Sequence, residues 1–176
     1  AYIKESGDYA ILDQLVPYDN DESKAQPMMH HLKQSFYRVA NNVGPHGLPL
    51  AMRADWNDCI NLSCWSYEPG ESFQTSTSPK YGEDKYSKVA ESLMVAGLFT
   101  YAGPAYVELC KKIGDTEEAE KAQAEIDKMK KNIMEYGFDG EWFIRAYDDL
   151  GRKMGSKECE EGKIFIEPQG FMVMSE

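Results

Sequence analysis

Histidine and cysteine are scarce in this chain, and positive charge is outnumbered. Three histidines (His30, His31, His46) and four cysteines (Cys59, Cys64, Cys110, Cys159) are spread over 176 residues. Cys59 and Cys64 are close in sequence, but no second close pair completes a four-ligand zinc set, so no metal site is expected. Scattered cysteines fit a reducing cytoplasm better than a disulfide framework. Lys and Arg total 19 against 30 Asp and Glu, for a formal charge of -11. That excess repels a nucleic-acid backbone, and no basic stripe offsets it. The lysines of residues 121–131 alternate with Glu125 and Asp127, the mark of a solvated helix face. No run approaches the roughly 20 apolar residues of a membrane span. No cleavable leader pattern and no internal repeat is evident. The expectation is a cytoplasmic chain with neither nucleic acid nor membrane as partner.

What is present is helical periodicity. Residues 27–43 carry Met29, Leu32, Phe36, Val39 and Val43 at spacings of three and four, with Pro27 suited to a first turn and Gly44-Pro45 as a stop. His30 and His31 read as surface groups on that helix. A second helix is expected from residues 86–88, apolar almost all round through Val89, Leu93, Met94, Val95, Leu98, Phe99 and Tyr101, and so buried on all sides. Gly103-Pro104 should kink or break it. A third begins at Asp115, with Glu118 placed as in a capping box. Its stripe is Ala119, Ala122, Ile126, Met129, Ile133 and Tyr136, and Gly137 is its stop. Glu117–Lys121 and Asp127–Lys131 are favourable i,i+4 pairs. Residues 1–25 read as irregular, with 19–23 a solvated loop. Residues 140–154 suggest a short β-hairpin, 163–166 a short strand, and Pro168 onward a helix. A buried helix followed by a half-buried one implies two helix layers, an all-α architecture with long loops. Residues 1–176 show no internal domain boundary.

Between the first two helices, periodicity fails. Residues 53–58 bring a guanidinium, an indole, an amide and two carboxylates together as Arg53-Ala54-Asp55-Trp56-Asn57-Asp58. Their polar groups share no helix face, and strand alternation would split them. Two readings remain open from residue types alone: a loop held against a scaffold, where catalytic groups tend to sit, or a helix entry capped by Asp55 or Asp58. Trp65, Tyr67 and Phe73 follow; they could pave a sugar site or pack the loop.

Five runs are similar, in order, to the cellobiose phosphorylases of glycoside hydrolase family 94. They are Gly47-Leu48-Pro49-Leu50 with Ala54-Asp55-Trp56-Asn57-Asp58-Cys59; residues 68–75; Tyr106 to Cys110; residues 140–147; and residues 161–170. The resemblance implies part of an (α/α)6 barrel of inner and outer helices, an incomplete segment of a longer parent chain. It implies an inverting disaccharide phosphorylase that converts cellobiose and phosphate to α-D-glucose 1-phosphate and D-glucose. It makes Asp58 the general acid and Trp56 a contact to the sugar whose bond breaks. Inorganic phosphate is the co-substrate, no metal or organic cofactor is implied, and homodimers are common in the family. The phosphate-binding residues fall outside the segment. Arg53, Glu71 and Gln74 are chemically suited to sugar or phosphate contacts, though surface or loop-ordering roles suit each of them better.

The chemistry is consistent. Breaking a glycosidic bond needs a proton for the leaving oxygen and a nucleophile at the anomeric carbon. With phosphate as nucleophile, one carboxylic acid suffices. Apolar surroundings and a like charge keep such an acid protonated, and Trp56 and Asp55 are near Asp58 in sequence. Two other readings stay open. One is a hydrolase of the same fold, with Asp55, Glu68 or Glu71 as base. The other is a non-catalytic carbohydrate-binding or helical scaffold segment.

Overall fold

The structure, a computed structural model of the chain, describes residues 1–52 and 88–175. They form two compact units, Ala1–Arg38 and Val39–Glu176. The described residues are mostly helical, with two small sheets.

The first unit is more ordered than its polar sequence suggests. A short helix, α1 (Tyr2–Ser6), and a 3-10 turn (Ala10–Asp13) precede strands β1 (Leu15–Tyr18) and β2 (Asp21–Pro27). These strands pair antiparallel, Leu15 with Pro27 and Tyr18 with Asp21. The expected solvated loop is in fact a hairpin. Asp19 and Asn20 have φ of 54° and 58°, the two positive values that a two-residue turn of this hand requires. Pro17 does not end the strand. It sits where the register shifts between Val16 and Tyr18, the kind of irregularity that tolerates a residue without an N–H. Helix α2 (Met28–Ala40) follows directly, so Pro27 closes β2 rather than opening the helix. His31 is not a free surface group: its Nε2 lies 2.9 Å from Val16 O and its ring packs 4.2 Å from that of Tyr18.

In the second unit, strand β3 (Glu91–Ser92) runs into α3 (Leu93–Lys112), followed by α4 (Thr116–Asn132). Helix α3 starts later than its apolar pattern implies, because Glu91 and Ser92 pair with a strand and Ser92 Oγ caps the helix by accepting from Val95 N at 3.3 Å. It also continues through Pro104. A proline inside a helix costs about 3 kcal/mol through a lost backbone bond and a ring clash with the preceding turn; Gly103, Tyr106 and Val107 beside it are buried. The helix is not buried on all sides. Leu93, Ala96, Phe99, Val107 and Cys110 are buried, whereas Tyr101 is 51% exposed. Its 20 residues are long and apolar enough to cross a membrane, at a mean hydropathy of 1.3, contrary to the expectation from the sequence. That hydropathy is the mean of an 18-residue window, half of which is buried inside the fold. Gly97 allows the close approach of the C-terminal helix, since a Cβ there would lie 2.8 Å from Phe171 Cβ.

Helix α4 follows its sequence pattern closely. Ala119, Ala122, Ile126 and Met129 are buried in one stripe. Asp115 Oδ1 accepts from Glu118 N at 3.1 Å, which is the cap. At the capping position Asp115 N donates to Cys110 O at 2.9 Å. Glu118 is buried and accepts from Tyr106 Oη at 3.0 Å, tying α4 to α3. Burial, and then the Glu118 carboxylate, push the Tyr106 phenol well above its ordinary pKa. Lys121 pairs with Glu117 at 2.5 Å as expected, while Asp127 accepts from Gln123 at 2.9 Å. The α-helix ends at Asn132, and a wider π turn (Ile133–Gly137) reaches the expected glycine stop.

Strands β4 (Ala146–Tyr147) and β5 (Lys153–Met154) form the expected hairpin, and β3 completes a three-stranded antiparallel sheet. Buried Asp148 organises the turn, accepting from Leu150 N, Arg152 N and Arg152 Nε at 2.9, 2.8 and 2.6 Å. Residues 163–165 are not a strand. They lead into α5 (Ile166–Met174), and Lys163 O accepts from Trp142 Nε1 at 2.7 Å.

Tyr106→Phe removes the buried bond to Glu118. It is expected to lower unfolding stability by about 1–2 kcal/mol in urea titrations; an unchanged midpoint would contradict the link between α3 and α4.

Candidate functional site

Arg53, Trp56, Asp58, Glu71 and Gln74 all lie in residues 53–87, outside the described residues. So do Asp55, Glu68, Trp65, Tyr67, Phe73, Cys59 and Cys64. The described residues show where the chain enters and leaves that segment. Leu50 bridges to Glu91, Ala51 N donates to Ala90 O at 2.8 Å, and Ser92 N donates to Pro49 O at 2.9 Å. Residues 49–51 thus extend the sheet on the side of β3 away from β4, and both roots of segment 53–87 stand side by side.

The first root is shaped by a tight turn. Helix α2 ends at Ala40, short of the expected residue 43. Gly44 N donates to Leu48 O at 2.9 Å and Gly47 N to Gly44 O at 3.0 Å, so residues 44–48 fold back on themselves. Val43 bridges to Pro49 across the base. Gly47 has φ of 68°, where a side chain is disfavoured, and its carbonyl accepts from Asn132 Nδ2 at 3.0 Å.

Glu91 reaches into this turn from β3. Its side chain is fully buried. Oε1 accepts from His46 N at 3.0 Å and Leu48 N at 3.1 Å, and Oε2 lies 2.5 Å from His46 Nδ1. An ionised Glu91 can only accept, and Nδ1 is then the donor. Burying a carboxylate is costly unless donors surround it, and here the turn supplies three. Gly44 makes room: a Cβ on it would lie 2.5 Å from Glu91 Cγ and 2.8 Å from Oε1. The His46 ring stacks on Tyr147 at 4.0 Å and packs 5.0 Å from Tyr136. Tyr147 is the pairing partner of Glu91 across the sheet, and its hydroxyl donates to Tyr136 O at 2.8 Å. Burial, and then the negative charge of Glu91, push the Tyr147 phenol up to about 12.

The other described motifs close around the same sheet. Gln169 pairs with both backbone groups of Phe143, its Oε1 accepting from Phe143 N at 3.0 Å and its Nε2 donating to Phe143 O at 2.7 Å. Residues 140–147 and 161–170, far apart in sequence, are thereby joined. Trp142 Nε1 donates to Gly155 O at 3.0 Å as well as to Lys163 O. Asp139 Oδ2 accepts from Lys157 N at 2.8 Å and Ser156 Oγ at 3.1 Å. Burial opposes ionisation of Asp139, but these bonds outweigh it and hold the carboxyl below its ordinary pKa. Among the described residues no three His, Cys, Asp or Glu side chains gather as a metal site would need. Sequence reasoning missed Glu91, His46, Tyr147 and Gly44. The signal was Glu91 itself, one carboxylate inside the apolar run from Val89 to Val95, which has to find partners.

The family model described as the glycosyl hydrolase 94 superfamily, catalytic domain, matches residues 1–176. A solabiose phosphorylase of Paenibacillus borealis is 32% identical over 99% of this chain and 20% of its own length. An N,N'-diacetylchitobiose phosphorylase of Vibrio furnissii is 30% identical over 99% of this chain and 19% of its own. A cellobionic acid phosphorylase of Neurospora crassa is 25% identical over 99% and 19%. The chain spans about a fifth of the length of these curated relatives.

Gly44→Ala drives a methyl group into the Glu91 carboxylate and is expected to cost about 1–3 kcal/mol. Gly170→Ala, where a Cβ meets nothing within 4 Å inside α5, is expected to stabilise by about 0.4–1 kcal/mol. Urea unfolding of both variants checks the contrast; equal effects would refute the packing around Glu91.

Proposed function

The chain belongs to the glycosyl hydrolase 94 superfamily, and from that premise we propose that it is a segment of the catalytic domain of an inverting disaccharide phosphorylase. The observation that carries this reading is the family match across residues 1–176, which includes the Asp55-Trp56-Asn57-Asp58 motif. Relatives named as phosphorylases of several disaccharides, aligned over nearly the whole chain, support phosphorolysis as the reaction class.

In this proposal Asp58 is the general acid and protonates the leaving glycosidic oxygen. Inorganic phosphate attacks the anomeric carbon from the opposite face, so a β-linked glucoside gives α-D-glucose 1-phosphate. One carboxylic acid is enough, because the nucleophile arrives with the substrate. Trp56 contacts the sugar whose bond breaks, and Arg53, Glu71 and Gln74 are candidate polar contacts. Cellobiose is the proposed disaccharide, on the wording of residues 57–61 and 68–71. The proposal extends to the architecture: the helices of the second unit form part of an (α/α)6 barrel completed by the rest of a longer parent chain. It also extends to the setting, a cytoplasmic homodimer working without metal or organic cofactor.

The test is glucose 1-phosphate release from cellobiose by the full-length protein, with and without phosphate. Phosphate-dependent release that falls by about 10²–10⁴-fold in Asp58→Asn is expected for loss of an acid catalyst. Glucose release without phosphate would point to a hydrolase with its own base, and an undiminished Asp58→Asn would remove Asp58 from the mechanism. Release from N,N'-diacetylchitobiose but not cellobiose would keep the reaction and replace the substrate.

A further inference from the structure

We draw no further inference here: the strongest candidate, the side-chain cluster in which buried Glu91 holds His46 of turn 44–48 between the Tyr136 and Tyr147 rings, carries nothing, because nothing in the structure shows what the edge of that imidazole meets.

Discussion

A fully buried carboxylate with three donors is the interaction on which the second unit turns. Glu91 has no exposure to water, so its charge is tolerable only if the donors are in place. Those donors come from a turn 45 residues earlier in sequence for His46 and 43 for Leu48. The turn in turn needs a glycine at position 44 to admit the carboxyl and one at 47 to hold a positive φ. Removing any of these parts exposes or orphans the others. The second unit therefore has a polar organising centre beside its apolar core.

Around that centre the layers are simple. Helices α3 and α4 share an apolar interface pinned by the Tyr106–Glu118 bond, and α5 packs on α3 where Gly97 permits it. The sheet β3–β4–β5 lies at the N-terminal end of α3, because Ser92 is both a strand residue and the helix cap. The motifs that suggested a carbohydrate-phosphorolysing family make structural hydrogen bonds in their described parts. Gln169 mimics a strand partner for Phe143, Trp142 bridges two carbonyls, and Asp148 folds a turn. The reacting groups proposed for phosphorolysis lie in the segment that this scaffold flanks.

Local signals in the sequence were readable where the periodicity was clean. Helix α4 shows this best, since its stripe, its Asp115 cap and its glycine stop are all encoded within one continuous run. The β4–β5 hairpin was legible from its aromatic and apolar residues. The start of α3 was not, because Val89 to Val95 is equally apolar in a strand and in a buried helix, and a two-residue strand has no period to detect. The β1–β2 hairpin was hidden by charge, although Asp19-Asn20 is a turn pair suited to positive φ. Glu118 looked like half of a capping box, and only the fold reveals that Tyr106 takes its carboxylate. The Glu91–His46 contact joins residues far apart in the chain, which no local pattern reports. Asp58 and Trp56 were legible as a motif, and their chemistry rests on family membership rather than on described geometry.

The most direct test of the account is amide hydrogen exchange at Leu48 and Ala51. If Glu91 holds the turn and the two roots as one unit, both amides exchange only through global unfolding, as slowly as the core amides of α4. Exchange at the rate of an open surface loop, while α4 remains protected, would show that the buried carboxylate does not hold the turn and would contradict the account.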